Sequence, residues 1–537
     1  MSLCLATGVC APVAMAQQLR PNIILIMTDQ QRADALGCMG NGAVISPNID
    51  QLAHDGIMFR HGYTASPSST PARASLLTGQ SPWRHGMLGY GQTAEHYEYE
   101  MPQMLRDLGY HTLGIGKMHW HPQRSLRGFE TTLLDESGRV EDPYFVSDYR
   151  KWFATQAFGL NPDSTGVDWN GHLGKAYALP ERLHPTVWTG EQAVQAINGY
   201  SSDSPLFLKI SFARPHSPYD PPQRVVDMYQ GRDIPAPAVG TWCEELPLNA
   251  HPESDPIAAR GNFGVEYARQ SRRYYYAAIT FVDEQIGRII RALKDKGMYD
   301  NSLICFVSDH GDMLGDHHLW RKTYAYEGSS AIPYIVKLPK NMPTVLPAGS
   351  ESDAPVGLQD LLPTFLTVNG QKVPDAIDGM SLQQLWSGES GTWRKYIAME
   401  HNTAYFPENY WCALTDGKIK YVWFFHTGQE QLFDLTKDPQ ELRDLSTVSR
   451  YRKQLATMRQ EMVSYLSERG EEWVKDGQLV VRKKNLLYSP NYPKTSKNEC
   501  HQQVSSVLSV YPCPLPRALG TPAPSFPAFC CHPCAAV

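Results

Sequence analysis

Three features are absent from the body of this 537-residue sequence. No apolar run reaches the ~20 residues that a helix needs to span a bilayer. A formal net charge of −6 gives no reason to expect a nucleic-acid partner. Of the eleven cysteines, only these lie in the body, far apart and without metal-ligand spacing: Cys38, Cys243, Cys305 and Cys412. The sequence therefore predicts no transmembrane segment, no disulfide scaffold and no zinc site made of thiolates.

The two ends of the chain differ from its body in composition. Residues 1–16, MSLCLATGVCAPVAMA, are small and apolar, lack a basic start and end in Ala-Met-Ala. This pattern predicts a signal peptide, and hence a periplasmic or secreted protein, with a disordered N-terminus as the alternative. Residues 495–537 are rich in proline, cysteine and small residues without a period. We expect a disordered tail there rather than a metal-binding one.

Short apolar runs alternate with helical patterns through the body. Such alternation predicts an α/β fold, with a large, mostly parallel sheet between layers of helices. Residues 20–393 are assigned to this N-terminal domain. The predicted buried strands are Asn22–Thr28, His111–Gly116, Leu206–Phe212 and Leu303–Ser308.

Helices and a second domain follow from the same patterns. Pro47–Phe59 is predicted to be a helix capped by Ser46, and Val265–Lys296 a long amphipathic helix. After about residue 394 the runs KIKYVWFF and EQLFDL and a helix from Ser449 indicate a smaller domain. We predict a small antiparallel sheet plus a terminal helix over residues 394–494.

Acid–base and metal-binding side chains follow each of the four predicted strands. Ligands of open parallel sheets bind beyond the carboxyl ends of the strands, so we expect these side chains to converge. Taken singly, an aspartate after a strand is more often a turn former or a helix cap. The residues that follow the strands are Asp29 and Gln30, Lys117 and His119, His216, and Asp309 and His310.

The predicted convergence favours a metal and a compact anion. Mostly oxygen donors from Asp29, Gln30, Asp309 and His310 suit Ca²⁺ or Mg²⁺ better than zinc. Arginine, lysine and histidine side chains around a divalent cation are suited to sulfate or phosphate. The cationic and proton-donating candidates are Arg73, Lys117, His119, His216 and Lys322.

Ordered sequence blocks point to a family. Residues 69–79 read STPARASLLTG, among PNIILIMTDQQRADALGCMGN, SPNIDQLAHDGIMF, GIGKMHW, RPHSPYDPP, SDHGDMLGDH, RKTYAYEG and LFDLTKDPQELRDL. These blocks cover Arg20 to about Leu445. They resemble the formylglycine-dependent sulfatases of the alkaline phosphatase superfamily, whose motif is C/S-x-P/A-x-R followed by L-T-G. The serine in the first motif position makes this a Ser-type member.

The resemblance implies a modified residue and a set of roles. Ser69 matches the residue that an anaerobic-type sulfatase-maturating enzyme oxidises to formylglycine. Asp29, Gln30, Asp309 and His310 match the metal ligands, usually of Ca²⁺, although Gln30 replaces the commoner second aspartate. The residues that match positions around the formylglycine and the sulfate are Arg73, Lys117, His119, His216 and Lys322.

The resemblance also implies a mechanism. A serine hydroxyl is a weak nucleophile, whereas a hydrated aldehyde beside a metal and Arg73 loses a proton more easily. Its oxygen would attack sulfur, with Lys322 and His216 stabilising or protonating the departing alcohol oxygen. His119, with Lys117, would take the proton from the second hydroxyl as the aldehyde reforms and sulfate leaves.

The expected substrate is a sulfate ester of a carbohydrate, such as a glycosaminoglycan, a mucin or an algal glycan. Candidates on the leaving-group side, not placed by the sequence, are Trp120, His172, Trp320 and Arg321. Two alternatives stay open: a phosphodiester or phosphonate monoester hydrolase of the same superfamily, and a non-catalytic protein that binds sulfated glycans through an unmodified Ser69.

Overall fold

The computed structural model describes residues 20–493 except 138, 140, 141, 143 and 249–254. The predicted signal peptide (1–16) and tail (495–537) lie outside the described residues.

The strands form one large sheet and several small ones. The strands are β1 Asn22–Asp29, β2 Ile57–Phe59, β3 Gly62–Tyr63, β4 His111–Gly116, β5 Thr131–Leu134, β6 Leu206–Pro215, β7 Ser302–Ser308, β8 Tyr334–Lys337, β9 Ser350–Ser352, β10 Val356–Gly357, β11 Ile397–His401, β12 Trp411–Thr415, β13 Ile419–Phe424, β14 Glu430–Asp434, β15 Val474–Lys475 and β16 Gln478–Leu479.

The large sheet has eight strands in the order β5-β4-β6-β1-β7-β8-β2-β9. The five strands from β5 to β7 are parallel neighbours, and β8 runs against them. The register aligns their carboxyl ends: Asp29 pairs with Pro215, and Thr28 with Ser308. The prediction of a mostly parallel sheet is confirmed.

Helices cover both faces of this sheet. They are α1 Pro47–His54, α2 Ser69–Thr78, α3 Pro82–His85, α4 Met101–Asp107, α5 Asp148–Gln156, α6 Pro185–Gly199, α7 Gln223–Asp227, α8 Val265–Asp295, α9 Glu327–Ser330, α10 Leu361–Thr367, α11 Gln383–Trp386 and α12 Arg452–Leu466. Alternate residues of β1 enter opposite cores because side chains alternate across a strand. Ile24 and Ile26 pack with α1, α6 and α8, whereas Leu25 and Met27 pack with α2, α4 and α10.

The predicted helix Pro47–Phe59 was wrong in its second half. The helix α1 ends at His54, and Ile57–Phe59 is strand β2. Gly56 separates the two elements, and a Cβ there would lie 2.7 Å from the carbonyl oxygen of Val336. The predicted Ser46 cap is absent too: its hydroxyl donates to Asp50, at 3.0 Å. The first turn of α1 instead donates backbone N–H groups to Asp283 of α8.

The C-terminal part of the described chain contains a separate antiparallel sheet in the order β11-β12-β13-β14. Helix α12 packs its buried side chains on this sheet, together with Trp83 and Leu88. Short 3₁₀ turns at 449–451 and 467–469 extend α12 at both ends. The predicted small sheet with a terminal helix is confirmed. Within residues 20–493, no described helix is long and apolar enough to cross a membrane.

Candidate active site

The carboxyl ends of β1, β4, β6 and β7 and the first turn of α2 meet at one place. Ser69 begins α2 and is 2% exposed. Its Oγ lies 3.1 Å from Nε2 of His310, which follows β7. The N-terminus of α2 adds positive potential at the Ser69 side chain. The sequence-predicted convergence of strand ends on Ser69 is therefore present in the structure.

Arg73 ties the strand ends together. Its Nε donates to Asp309 Oδ2 at 3.0 Å, and its Nη2 donates to Asp29 Oδ2 at 3.1 Å. Its Nη1 donates to the carbonyl oxygen of Lys117 at 2.6 Å and to Ser211 Oγ at 3.0 Å. Burial would lower the pKa of the guanidinium, but Asp309 and Asp29 outweigh burial and raise it. Arg73 stays charged and fixes the ends of β1, β4 and β7 and the interior of β6 relative to α2.

Three side chains are arranged as a metal site would require. The ligand atoms of Asp29, Asp309 and His310 all lie within 4.8 Å of one another, and all three residues are buried. Nδ1 of His310 faces the carbonyl oxygen of Gly311 at 3.0 Å. That contact assigns the proton to Nδ1, so that the lone pair of Nε2 faces the Ser69 hydroxyl at 3.1 Å, with Asp309 Oδ1 at 3.7 Å and Asp29 Oδ1 at 4.0 Å. Asp29 Oδ1 is buried and has no hydrogen-bond partner in the part of the chain that the structure describes.

These observations fit a divalent cation. A buried carboxylate oxygen that no described group satisfies, next to a second buried carboxylate, is costly in free energy without a cation between them. Burial alone would raise the pKa of Asp29, but Lys117, His216 and Arg73 hold that pKa well below its usual range. Asp29 is therefore an anion. A donor set of two carboxylates and one imidazole favours no single divalent ion.

Both polar atoms of the Gln30 side-chain amide form hydrogen bonds with neighbouring side chains. Its Oε1 accepts from Lys322 Nζ at 2.6 Å, and its Nε2 donates to Asp312 Oδ2 at 2.5 Å. The residue has φ of 65°, which turns the chain sharply after β1. Its backbone N–H donates to Asp309 Oδ1 at 2.9 Å. The structure thus places Gln30 beside the predicted metal ligands, with its amide engaged by Lys322 and Asp312.

Lys117 and His119 approach from β4. The Lys117 ammonium pairs with Asp29 Oδ2. Both ring nitrogens of His119 are buried, and no group of the described residues forms a hydrogen bond with either of them. Burial, reinforced by the charges of Arg139 and Lys117, holds the pKa of His119 well below its usual range. His119 is therefore a neutral imidazole able to accept a proton.

Lys322 and His216 form a second proton-handling pair. Lys322 Nζ lies 2.6 Å from Nε2 of His216, whose Nδ1 faces the carbonyl oxygen of Ser217 at 2.8 Å. Burial lowers the pKa of Lys322 to about 7. It also lowers the pKa of His216, together with the charge of Lys322. Lys322 and His216 can therefore share one proton, which is available for transfer to a bound ligand.

Sequence reasoning missed several supporting residues. Glu136 is buried and accepts the backbone N–H groups of Met118 and His119, at 2.9 and 3.1 Å. Asp312 accepts from Gln30 and, at 2.7 Å, from the Tyr219 hydroxyl. Both were detectable, since Glu136 follows β5 as the other site residues follow their strands, and Asp312 lies in SDHGDMLGDH. Ser211 inside β6 gave no such signal.

The candidates for the leaving-group side divide into two groups. Trp120 is 3% exposed and stacks on Phe129. His172 and Trp320 are each 2% exposed and stack on one another at 4.5 Å between ring centroids. Because these three rings are packed in the interior, none of them presents a face to a substrate. Arg321, next to Lys322, is partly exposed.

Comparison with known proteins agrees with this site. The sulfatase family model matches residues 21–370, and the model of the C-terminal region of N-sulphoglucosamine sulphohydrolase matches residues 315–468. The chain belongs to the sulfatase family, within the alkaline phosphatase superfamily. It is a sulfuric ester hydrolase.

Individual relatives span nearly the whole chain. It is 36% identical to an arylsulfatase of Clostridium perfringens over 86% of this chain and 98% of that protein. It is 27% identical to an N-acetylglucosamine-6-O-sulfatase of Bacteroides thetaiotaomicron over 87% and 89% of the two chains. A phosphonate monoester hydrolase of Agrobacterium radiobacter has a similar structure, with a TM-score of 0.71 at 25% identity over 86% and 100% of the two chains.

Proposed function

We propose that this enzyme removes sulfate from carbohydrates with a formylglycine made from Ser69. The observation that carries the proposal is the position of Ser69 Oγ, 3.1 Å from Nε2 of His310 and at the start of a helix whose Arg73 binds both buried aspartates. Hydrated formylglycine supplies a nucleophilic oxygen that plain serine lacks. A divalent cation held by Asp29, Asp309 and His310, with Gln30 beside them, supplies Lewis-acid stabilisation of negative charge. Ca²⁺ is our choice of ion, with Mg²⁺ as the alternative.

The residues of the chain provide the remaining steps. Arg73 and Lys117 hold positive charge beside the nucleophile and orient an anionic ester. The pair of Lys322 and His216 holds a proton that can go to the departing alcohol oxygen. His119, neutral and unpartnered, can accept the proton that must leave residue 69 when sulfate is released.

Substrate class, maturation and location complete the proposal. The relatives include an N-acetylglucosamine-6-O-sulfatase and an ulvan-active sulfatase of Formosa agariphila, 27% identical over 92% of this chain. These names support a sulfated glycan as the substrate here. We further propose oxidation of Ser69 by an anaerobic-type maturating enzyme and export to the periplasm or the medium.

A second candidate activity is the hydrolysis of phosphonate monoesters. The observation in its favour is the similarity to the Agrobacterium radiobacter phosphonate monoester hydrolase. Buried cations that bind a sulfate ester also bind a phosphonate, because both are compact tetrahedral anions.

The test is co-expression of the full chain with an anaerobic-type sulfatase-maturating enzyme. Mass spectrometry of the peptide with Ser69 should show the loss of two hydrogens. The modified protein should release sulfate from 4-nitrophenyl sulfate and from 6-O-sulfated N-acetylglucosamine faster than it cleaves a 4-nitrophenyl phosphonate monoester. An unmodified Ser69 in active protein contradicts the formylglycine proposal. A faster phosphonate reaction replaces the first activity with the second.

A further inference from the structure

Three partly exposed side chains surround the mouth of the site, and none of them has a part in the chemistry above. They are Tyr90, Arg321 and Tyr405. Tyr90 is 49% exposed and Tyr405 is 38% exposed, whereas the residues that bind Ser69 and Arg73 are buried. Large aromatic rings at the edge of a charged, buried site are placed to contact a ligand.

Tyr90 is held over His119 by contacts on both sides of it in the chain. Gly91 N–H donates to Thr70 Oγ1 at 3.2 Å, next to Ser69. Asn402 N–H donates to the carbonyl oxygen of Leu88 at 2.7 Å. The Tyr90 ring centroid lies 5.9 Å from that of His119. These contacts fix the exposed ring at the entrance to the site.

Arg321 forms no ion pair with any carboxylate of the described residues. Its guanidinium donates from Nη1 to the carbonyl oxygen of Ile257 at 3.2 Å. Its backbone N–H donates to Asp312 Oδ1 at 3.1 Å, and the next residue in the chain is Lys322. The guanidinium is thus anchored beside the pair that handles the leaving-group proton.

Tyr405 supports the Arg321 guanidinium. The guanidinium carbon lies 4.7 Å from the Tyr405 ring centroid, a cation–π distance. Both residues have left-handed backbones, with φ of 67° for Arg321 and 65° for Tyr405. Side chains of this size rarely adopt that conformation, and such positions cluster at ligand sites.

We propose that Tyr90, Arg321 and Tyr405 form the subsite for the leaving group, here named the leaving-group rim. Its occupant is a sugar ring that carries a second anionic group, a carboxylate or another sulfate, in addition to the sulfate that is cleaved. The sugar face packs on the tyrosine rings, and the second anion pairs with the Arg321 guanidinium, which no carboxylate of the described residues neutralises. This proposal rests on the proposed sulfatase function and names its substrate class.

The test compares substrates that differ by one anionic group. The pairs are mono- and di-sulfated glucosamine, and sulfated N-acetylgalactosamine with and without a linked glucuronate, with 4-nitrophenyl sulfate as a check of basal activity. Wild-type enzyme should prefer the more anionic member of at least one pair by about tenfold in kcat/KM, and Arg321→Ala should remove that preference. Arg321→Lys should keep part of it, because the charge remains.

Two further variants separate stacking from charge. Tyr405→Ala should lower kcat/KM for both members of a pair by about tenfold, and Tyr405→Phe should not. The matched control is Arg232→Ala, since Arg232 also donates to backbone carbonyls and lies over a tyrosine ring, that of Tyr229. It should leave the substrate preference unchanged.

The outcomes distinguish this proposal from the one on which it rests. Active wild-type enzyme without a preference in either pair, or an Arg321→Ala variant that is folded and keeps the preference, overturns the leaving-group rim. A wild-type enzyme with modified Ser69 that releases no sulfate from any probe contradicts the proposed function instead. If Arg321→Ala fails to fold, as judged by thermal unfolding, Arg321→Lys and Tyr405→Ala decide the question: a full preference in the first together with an unchanged kcat/KM in the second overturns the leaving-group rim.

Discussion

The residues at the bottom of the site are buried and lie on or directly after regular elements, whereas those of the leaving-group rim are partly exposed and lie on loops. The floor, meaning Ser69, Arg73, Asp29, Asp309 and His310, is buried, and the side chains of Arg73 and both aspartates are 0% exposed. Its residues follow strands of the central sheet or begin α2. The leaving-group rim consists of partly exposed side chains on loops, two of them in left-handed conformations.

This contrast suggests a division of roles, in which the floor cleaves the ester bond and the rim selects the substrate. Sheet register fixes the spacing of the floor to within the tolerance that catalysis requires. Loops over a rigid scaffold can change their side chains without changing that spacing. The floor therefore suits any sulfate ester, whereas the rim should decide which alcohol is released. The following predictions test this division, beginning with the floor.

The largest effect is expected for Ser69→Ala. Loss of the nucleophile should lower kcat/KM for 4-nitrophenyl sulfate by about 10⁴-fold or more, as for other enzymes that lose the nucleophile. The folded state should persist, because the Ser69 hydroxyl contacts only His310 among the described residues. The matched control is Ser75→Ala on the same helix, whose hydroxyl lies 2.9 Å from His85. A comparable loss of activity in the control would show that α2, and not Ser69, is responsible.

Removal of the divalent cation should abolish activity and lower the melting temperature together. A cation that binds only the folded state stabilises it by about 2.7 kcal/mol at a concentration of 100 Kd. Dialysis against EGTA or EDTA, followed by Ca²⁺ or Mg²⁺, with calorimetry and sulfate release, measures both effects. Asp29→Asn should lose the thermal shift. A full shift in that variant would place the ion elsewhere.

An intermediate effect is expected at Glu136, which links floor and rim through the His119 loop. Glu136→Ala removes the acceptor of two backbone N–H groups and the partner of Arg139, at 2.6 Å. We expect a loss of about 2–4 kcal/mol in the free energy of unfolding and at least tenfold in kcat. Glu136→Gln retains an acceptor oxygen and should recover much of the kcat. Equal kcat values for the two variants would contradict a positioning role.

The smallest effect concerns acid stability beneath the floor. Burial lowers the pKa of His85, under α2, to about 3. Because the folded-state pKa lies below the unfolded value of ~6.5, stability is present above pH ~6.5 and is lost as pH falls toward 3. Between pH 6.5 and 5 the loss is about 2 kcal/mol. Urea titrations should show a shallower pH dependence for His85→Gln than for wild type.

Much of the floor could be predicted from the sequence because its signals are local. An apolar run followed by a polar pair marks the end of a buried strand, and this rule located Asp29, Lys117 and Asp309 without a structure. The error at Pro47–Phe59 arose because a helical pattern continued across Gly56, where the approach of the Val336 backbone ends the helix. The end of α1 is therefore set by this tertiary contact and not by the helix propensity of the sequence.

Of the rim residues, the sequence offered Arg321 as a candidate but neither Tyr90 nor Tyr405, for a different reason. Tyr90, Arg321 and Tyr405 come together from three distant segments, and no spacing in the sequence relates them. Trp120, His172 and Trp320 were proposed from residue type alone, yet these rings are in the interior. Residue type indicates what a side chain can bind, but only the fold decides whether its face is open.

The burial of Ser69 implies that the proposed oxidation takes place before the chain has finished folding. The proposed oxidation of Ser69 requires access that the folded protein, with 2% of the residue exposed, does not give. His310, which closes the floor over Ser69, is 241 residues further along the chain. At about 5–20 residues per second, synthesis leaves on the order of tens of seconds between the two. The chain length between Ser69 and His310 thus sets the time during which the nascent serine would be open to the proposed modification, before the sheet is complete.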